Sequence, residues 1–183
     1  LSSTASSPEA LKAKEVLENV DPCTIGGVEP LRRLINQHRK SRDPEIQLIV
    51  AKARSTRASA YWFRGDAAAG RLLKEIVRLY DSSRDPAFQA IAADARLTVV
   101  ATWRRPSAIR KYIDPIVSRY KDSTDVQLSE AYAQALYELS GLAAQAGNEG
   151  ESLRLYDEAG EVLRTRVEPF EKPSEPGKGH ICI

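Results

Sequence analysis

Apolar residues recur every three to four positions along most of this chain, in segments broken by short polar stretches rich in Pro, Gly, Ser and Asp. That spacing predicts amphipathic helices and leaves no segment with the alternation of a half-buried strand. A first helix opens at Ser7-Pro8 and carries Ala10, Ala13, Leu17 and Val20 on one stripe; a second runs from about Glu29 to Lys40. Longer helices are predicted over Pro44 to Phe63, Pro86 to Trp103 and Val126 to Gln145, each followed by a return helix: Ala67 to Tyr80, Pro106 to Tyr120, and Glu149 to about Arg166. Leu97 to Thr102 is β-branched enough to suggest a strand on propensity, but its counterparts in the flanking segments are helical, so helix is expected there too.

These segments repeat. Ser41-Arg42-Asp43-Pro44 recurs 42 positions on as Ser83-Arg84-Asp85-Pro86, and 40 further on as Ser123-Thr124-Asp125-Val126. The same offsets align Ile46, Phe88 and Leu128; Val50, Ala92 and Tyr132; and Ala53, Ala95 and Ala135. In each, Asp is placed to cap a helix, and in the first two Pro follows where its missing N–H costs nothing. A period near 40 with two helical patterns per unit is the sequence signature of an α-solenoid. The expected fold class is therefore all-α: a right-handed α-solenoid of antiparallel helix hairpins, with three full hairpins and a degenerate N-terminal pair. The expected organisation is an N-terminal helix and loop over 1–27, the repeat domain over 28–166, and a Pro/Gly-rich tail over 167–183.

Leu136 to Val162 carries a resemblance. It has a small residue in the first helix (Ser140), a Gly147-Asn148 turn, a small residue opening the second helix (Ser152), then Tyr156 and, three later, Ala159. This pattern resembles the tetratricopeptide-repeat family in its longer-period form. The middle copy matches with Ala108 and Tyr112 and departs with Arg96 and Pro115. The resemblance implies that the first helices of successive hairpins line a concave, peptide-binding groove. Carried onto this register, the groove comprises Leu48, Ala51, Ser55 and Ala58, then Ala90, Ala93, Leu97 and Val100, then Glu130, Ala133, Tyr137 and Ser140. Such a surface suits an apolar helix or extended hydrophobic segment of another protein, or of another part of a larger chain; the chain's own first helix or tail is the competing occupant.

Charge adds one feature. Residues 28–84 hold 13 Lys and Arg against 6 Asp and Glu, although the whole 183-residue chain is only +2. The basic cluster comprises Arg32, Arg33, Arg39, Lys40 and Arg42, continued by Lys52, Arg54 and Arg57, with His38 among them. Phosphate contacts are one use for it, although no aromatic residues interleave to stack bases. Self-assembly is a further reading, given the acidic balance of residues 85–160.

Chemistry is sparse. Cys23 and Cys182 lie outside the periodic segments and are expected as reduced thiols. His180-Ile181-Cys182 lacks further ligands for a metal, and no Gly-rich phosphate loop or nucleophile–base pair is evident. Arg64-Gly65-Asp66 reads as a hairpin turn. The expectation is a non-catalytic scaffold or adaptor without a cofactor, cytoplasmic because no signal peptide or spanning run is found. Its partners would be proteins, with nucleic acid or self-association as alternatives.

Overall fold

In the computed structural model, residues 6–21, 27–101 and 106–170 are described. They form eight α-helices and no strand: α1 (Pro8–Glu18), α2 (Val28–His38), α3 (Pro44–Phe63), α4 (Ala68–Tyr80), α5 (Pro86–Val100), α6 (Pro106–Tyr120), α7 (Val126–Gln145) and α8 (Glu149–Val162). The chain divides into two compact units, one running to Leu79 and the other starting at Tyr80. Cys23, Trp103, His180 and Cys182 fall outside the described residues. Among the described residues no helix is long and apolar enough to cross a membrane.

The repeat is visible in hydrogen bonds as well as in spacing. Before α3, Ser41 N–H donates to the His38 carbonyl at 2.9 Å, and Asp43 N–H donates to Ser41 Oγ at 3.3 Å. Asp43 Oδ1 accepts from Glu45 N at 2.9 Å, and the Gln47 side-chain amide donates back to the Ser41 carbonyl at 3.0 Å. Before α5 the same four bonds join Ser83 to Tyr80, Asp85 to Ser83, Ala87 to Asp85, and Gln89 to Ser83. Before α7 they join Ser123 to Tyr120, Asp125 to Ser123, and Leu128 to Asp125, with the Ser129 hydroxyl donating to the Ser123 carbonyl in place of glutamine. Each network satisfies donors that a helix start would otherwise leave open, and it sets the angle at which the chain enters the helix. The residue four beyond the aspartate was not singled out by the periodicity argument, because it is polar and sits off the apolar stripe. Asp43→Ala is expected to lower the stability of the first unit by about 1 kcal/mol, read as a shift in the urea midpoint.

In the first unit, α1 packs on α2 and α3. Ala10, Ala13, Leu31, Leu34, Ile35, Ile46, Ile49, Val50 and Ala53 form one buried cluster, with Leu17 and Val20 against its edge. Helical geometry puts Ile46, Ile49, Val50 and Ala53 on one side of α3 and Leu48 and Ser55 on the other. The N-terminal helix thus takes the first of these sides. Its N-terminal end is held by Ser6 Oγ to Glu45 (2.6 Å) and by Glu9 to His38 Nδ1 (3.1 Å), the histidine being almost wholly buried. Gly65, at φ 67°, makes the Arg64-Gly65-Asp66 turn, a left-handed conformation that glycine adopts without strain, and Asp66 then caps α4 through Ala68 N at 2.7 Å.

In the second unit, α7 is the central helix, packing against α5, α6 and α8. Ser140 bonds to the Ser152 carbonyl at 2.8 Å, Tyr137 lies beside Tyr156 with ring centroids 5.1 Å apart, and Tyr132 donates to Glu158. As one partner's number falls the other's rises, so α7 and α8 run antiparallel. The small residues at Ser140 and Ser152 bring the two helices close enough for direct hydroxyl contact. Burial, reinforced by the bond to Glu158, pushes the Tyr132 hydroxyl well above the ordinary tyrosine range. The expected end of the last helix is altered: α8 stops at Val162, and Leu163–Val167 widen into a π turn, followed by a 3-10 turn over Glu168–Phe170. The wider turn buries Val167 while Arg166 donates to the Lys121 carbonyl at 2.6 Å.

Candidate functional site

The groove positions expected from the repeat register separate into two classes. Ala51, Ala93 and Ala133 are buried, at 0%, 1% and 0% exposed, and Ala58, Val100 and Ser140 are buried with them. Alanine at the same place in three copies fits close helix contact, where a larger side chain would hold neighbours apart. These positions face the interior and have no solvent-facing surface to offer a partner. Leu48, Ser55, Ala90, Leu97 and Tyr137 are half-buried, and Glu130 is exposed. Ser55, Leu97 and Tyr137 occupy one register position, and all three stay partly accessible. Within the second unit α5 packs on α7, so Leu97 and Tyr137 sit on neighbouring helices. On α8, Tyr156 lies beside Tyr137 and is 57% exposed, and Leu153, three residues before it, is 62% exposed. Tyr156, the aromatic of the repeat-like pattern, is a surface ring against Tyr137.

The basic cluster also separates. Arg32 and Arg33 both donate to Glu29 on their own helix, Arg32 through two bonds of 2.8 and 2.9 Å. Arg32 foremost, with Arg33 behind it, holds the Glu29 carboxyl below its ordinary range. Lys40, Arg42 and Lys52 are exposed. Arg39, Arg54 and Arg57 converge on one pocket of about 250 Å³, lined also by the polar Asn36 and Glu75 and the apolar Ile35, Leu72 and Ile76. Asn36, Leu72 and Glu75 were not expected to belong with the arginines, because α4 meets α2 and α3 here only through the fold. Glu75 accepts from Arg54 Nη1 at 2.7 Å. Arg57 lies over the Tyr61 ring at 5.6 Å. Arg54 Nε and Arg57 Nε are both buried without an acceptor.

The second unit holds a related arrangement with its acceptor present. Asp81 receives Arg96 Nε at 3.0 Å and Arg96 Nη2 at 2.9 Å, while Arg119 Nη1 reaches the same carboxylate at 3.0 Å. Burial works to raise the Asp81 carboxyl, but the hydrogen bonds from Arg96 and Arg119 outweigh it and hold it below the ordinary range. Among the described residues no three His, Cys, Asp or Glu side chains converge as metal ligands would.

Compared with known proteins, the chain matches no family model, no curated protein and no solved structure.

Proposed function

We propose that this protein is a helical-repeat interaction module, an α-solenoid of tetratricopeptide-like hairpins that binds another protein through its first-helix face. One observation carries the reading: the register position of Ser55, Leu97 and Tyr137 stays half-exposed in all three copies, while its neighbours at 51, 93 and 133 are buried. A face kept open at one register position, beside positions that are packed shut, is what a repeated binding surface requires. In the second unit the accessible part is apolar and aromatic, with Leu97, Tyr137, Tyr156 and Leu153 contributing. Rigid aromatic side chains of this kind supply large contact area at low entropic cost, and an apolar helix or extended hydrophobic segment of the partner is the matching chemistry. The antiparallel α7 and α8 pair, with small residues at Ser140 and Ser152, supports the family reading at the positions where the sequence resemblance lies.

The test is affinity capture from the native source with Leu97→Glu and Tyr137→Glu set against the wild type. Each substitution is expected to abolish capture of the wild-type partner while circular dichroism shows undiminished helicity. Capture that survives both substitutions would sink the assignment of this face. Light scattering across a concentration series separates self-association: a mass that rises with concentration and falls back in the variants would make the partner a second copy of the chain.

A further inference from the structure

The two units differ at one pair of equivalent positions. Arg54 of α3 corresponds to Arg96 of α5, 42 positions on, and Arg39 corresponds to Asp81 at the same offset. In the later copy the arginine is clamped by the aspartate through its Nε and Nη2. In the earlier copy position 39 is itself an arginine, and Arg54 Nε is left buried with no acceptor. The third copy has Leu136 at the arginine position and Lys121 at the other, so no carboxylate is needed there. Only the first copy keeps the arginine and lacks an acid at the position of Asp81.

A second substitution points the same way. Arg57 stands at the register of Val99 and Leu139, both buried and apolar, and its Nε is also buried without an acceptor. A guanidinium in place of a core aliphatic, with an unmet donor, costs stability that two other copies avoid. Arg39, Arg54 and Arg57 share the pocket of about 250 Å³ with one carboxylate, Glu75, which occupies Arg54 Nη1 and leaves Nε without an acceptor. Two positive charges are therefore uncompensated around a cavity that Ile35, Leu72 and Ile76 also line.

We propose that this pocket binds a carboxylate, seated against Arg54 and Arg57 in the role that Asp81 plays against Arg96. A planar carboxylate matches the guanidinium fork, which is the geometry the later copy displays. The volume lies below that of a drug-sized ligand, so the occupant is a small acid or a single acidic side chain with a short apolar stem against Ile35, Leu72 and Ile76. The proposal concerns the first unit and is independent of the Leu97 and Tyr137 face.

Glutarate, a peptide containing one glutamate and blocked at both ends, and inorganic phosphate are titrated into the full chain by calorimetry and by NMR. At least one of the two carboxylate probes is expected to bind saturably, and the tighter of them identifies a free acid or a displayed side chain as the source. Arg57→Gln is expected to weaken that binding about tenfold or more, the loss of a charge-assisted contact. Arg39→Asp is the decisive variant, because it places an intramolecular carboxylate where the later copy has one. It is expected to abolish binding while raising the thermal midpoint, so the loss cannot be attributed to unfolding. Absence of saturable binding by both carboxylates overturns the proposal. So does binding unchanged in Arg39→Asp and Arg57→Gln, and so does phosphate bound more tightly than either carboxylate.

Discussion

Leu136→Arg is expected to destabilise the second unit by about 3–5 kcal/mol, the range for a buried charge left without its partner. Leu136 is 2% exposed on α7, and its register counterparts Arg54 and Arg96 are arginines, so the backbone position accepts a long side chain elsewhere in the chain. The difference lies in what each arginine meets. Arg96 is tolerated at 11% side-chain exposure because Asp81 neutralises it through two bonds. At the corresponding position the third copy presents Lys121, a like charge. Adding Lys121→Asp to Leu136→Arg is therefore expected to recover a substantial part of the loss, whereas Lys121→Asp alone changes little. Urea unfolding of the four proteins forms a double-mutant cycle. A coupling energy near zero would show that positions 136 and 121 are not related as 96 and 81 are.

The second large effect is at Asp81 itself. Asp81→Asn leaves Arg96 and Arg119 facing an uncharged amide, and hydrogen bonds to charged groups of this kind contribute about 1.5–3 kcal/mol each. The loss at neutral pH is expected to fall in that range, because Arg119 is nearly half exposed and water replaces much of its contact. The pH dependence has a definite sign. The Asp81 carboxyl is held below its ordinary value in the folded state, so its contribution is fully present above the unfolded-state value of about 4. That contribution is lost as pH falls through the lower folded-state value. Asp81→Asn should therefore lower stability at pH 7 and flatten the acid limb of the curve below about pH 4. Denaturation midpoints measured from pH 7 to pH 2.5 for both proteins make the comparison, and parallel acid limbs would refute the role given to Asp81.

Both predictions depend on a register that can be read without coordinates. The helix starts at Pro44, Pro86 and Val126 are legible because a cap needs only residues within a few positions of one another, and Ser-x-Asp supplies them locally. The helical character of Leu97 to Val100 is legible for the same reason once the repeat is aligned, despite its β-branched composition. The expected groove was less legible. Helical periodicity says that Ala51, Ser55 and Ala58 share a side of α3, but not how deeply a neighbouring element covers each of them. Ala51 and Ala58 are covered and Ser55 is not fully so. The arginine pocket was least legible, since Arg39 caps the end of α2 while Arg54 and Glu75 lie on α3 and α4, and their meeting depends on how α2, α3 and α4 pack.

Alone, the amino-acid sequence determined that this protein is helical, where its helices begin, and which positions correspond between copies. Those properties follow from contacts within one turn and from a repeated spacing, both of which are linear in the chain. Tertiary structure decided which of the corresponding positions are open, that α1 takes the Ile46 side of α3, and that the last helix widens at Leu163. It also decided that an arginine whose Nε finds an aspartate in one copy keeps its Nε without an acceptor in another. The physical reason is common to all four: burial and charge pairing are set by neighbours distant in sequence, and the same residue type acquires opposite roles when its neighbour changes.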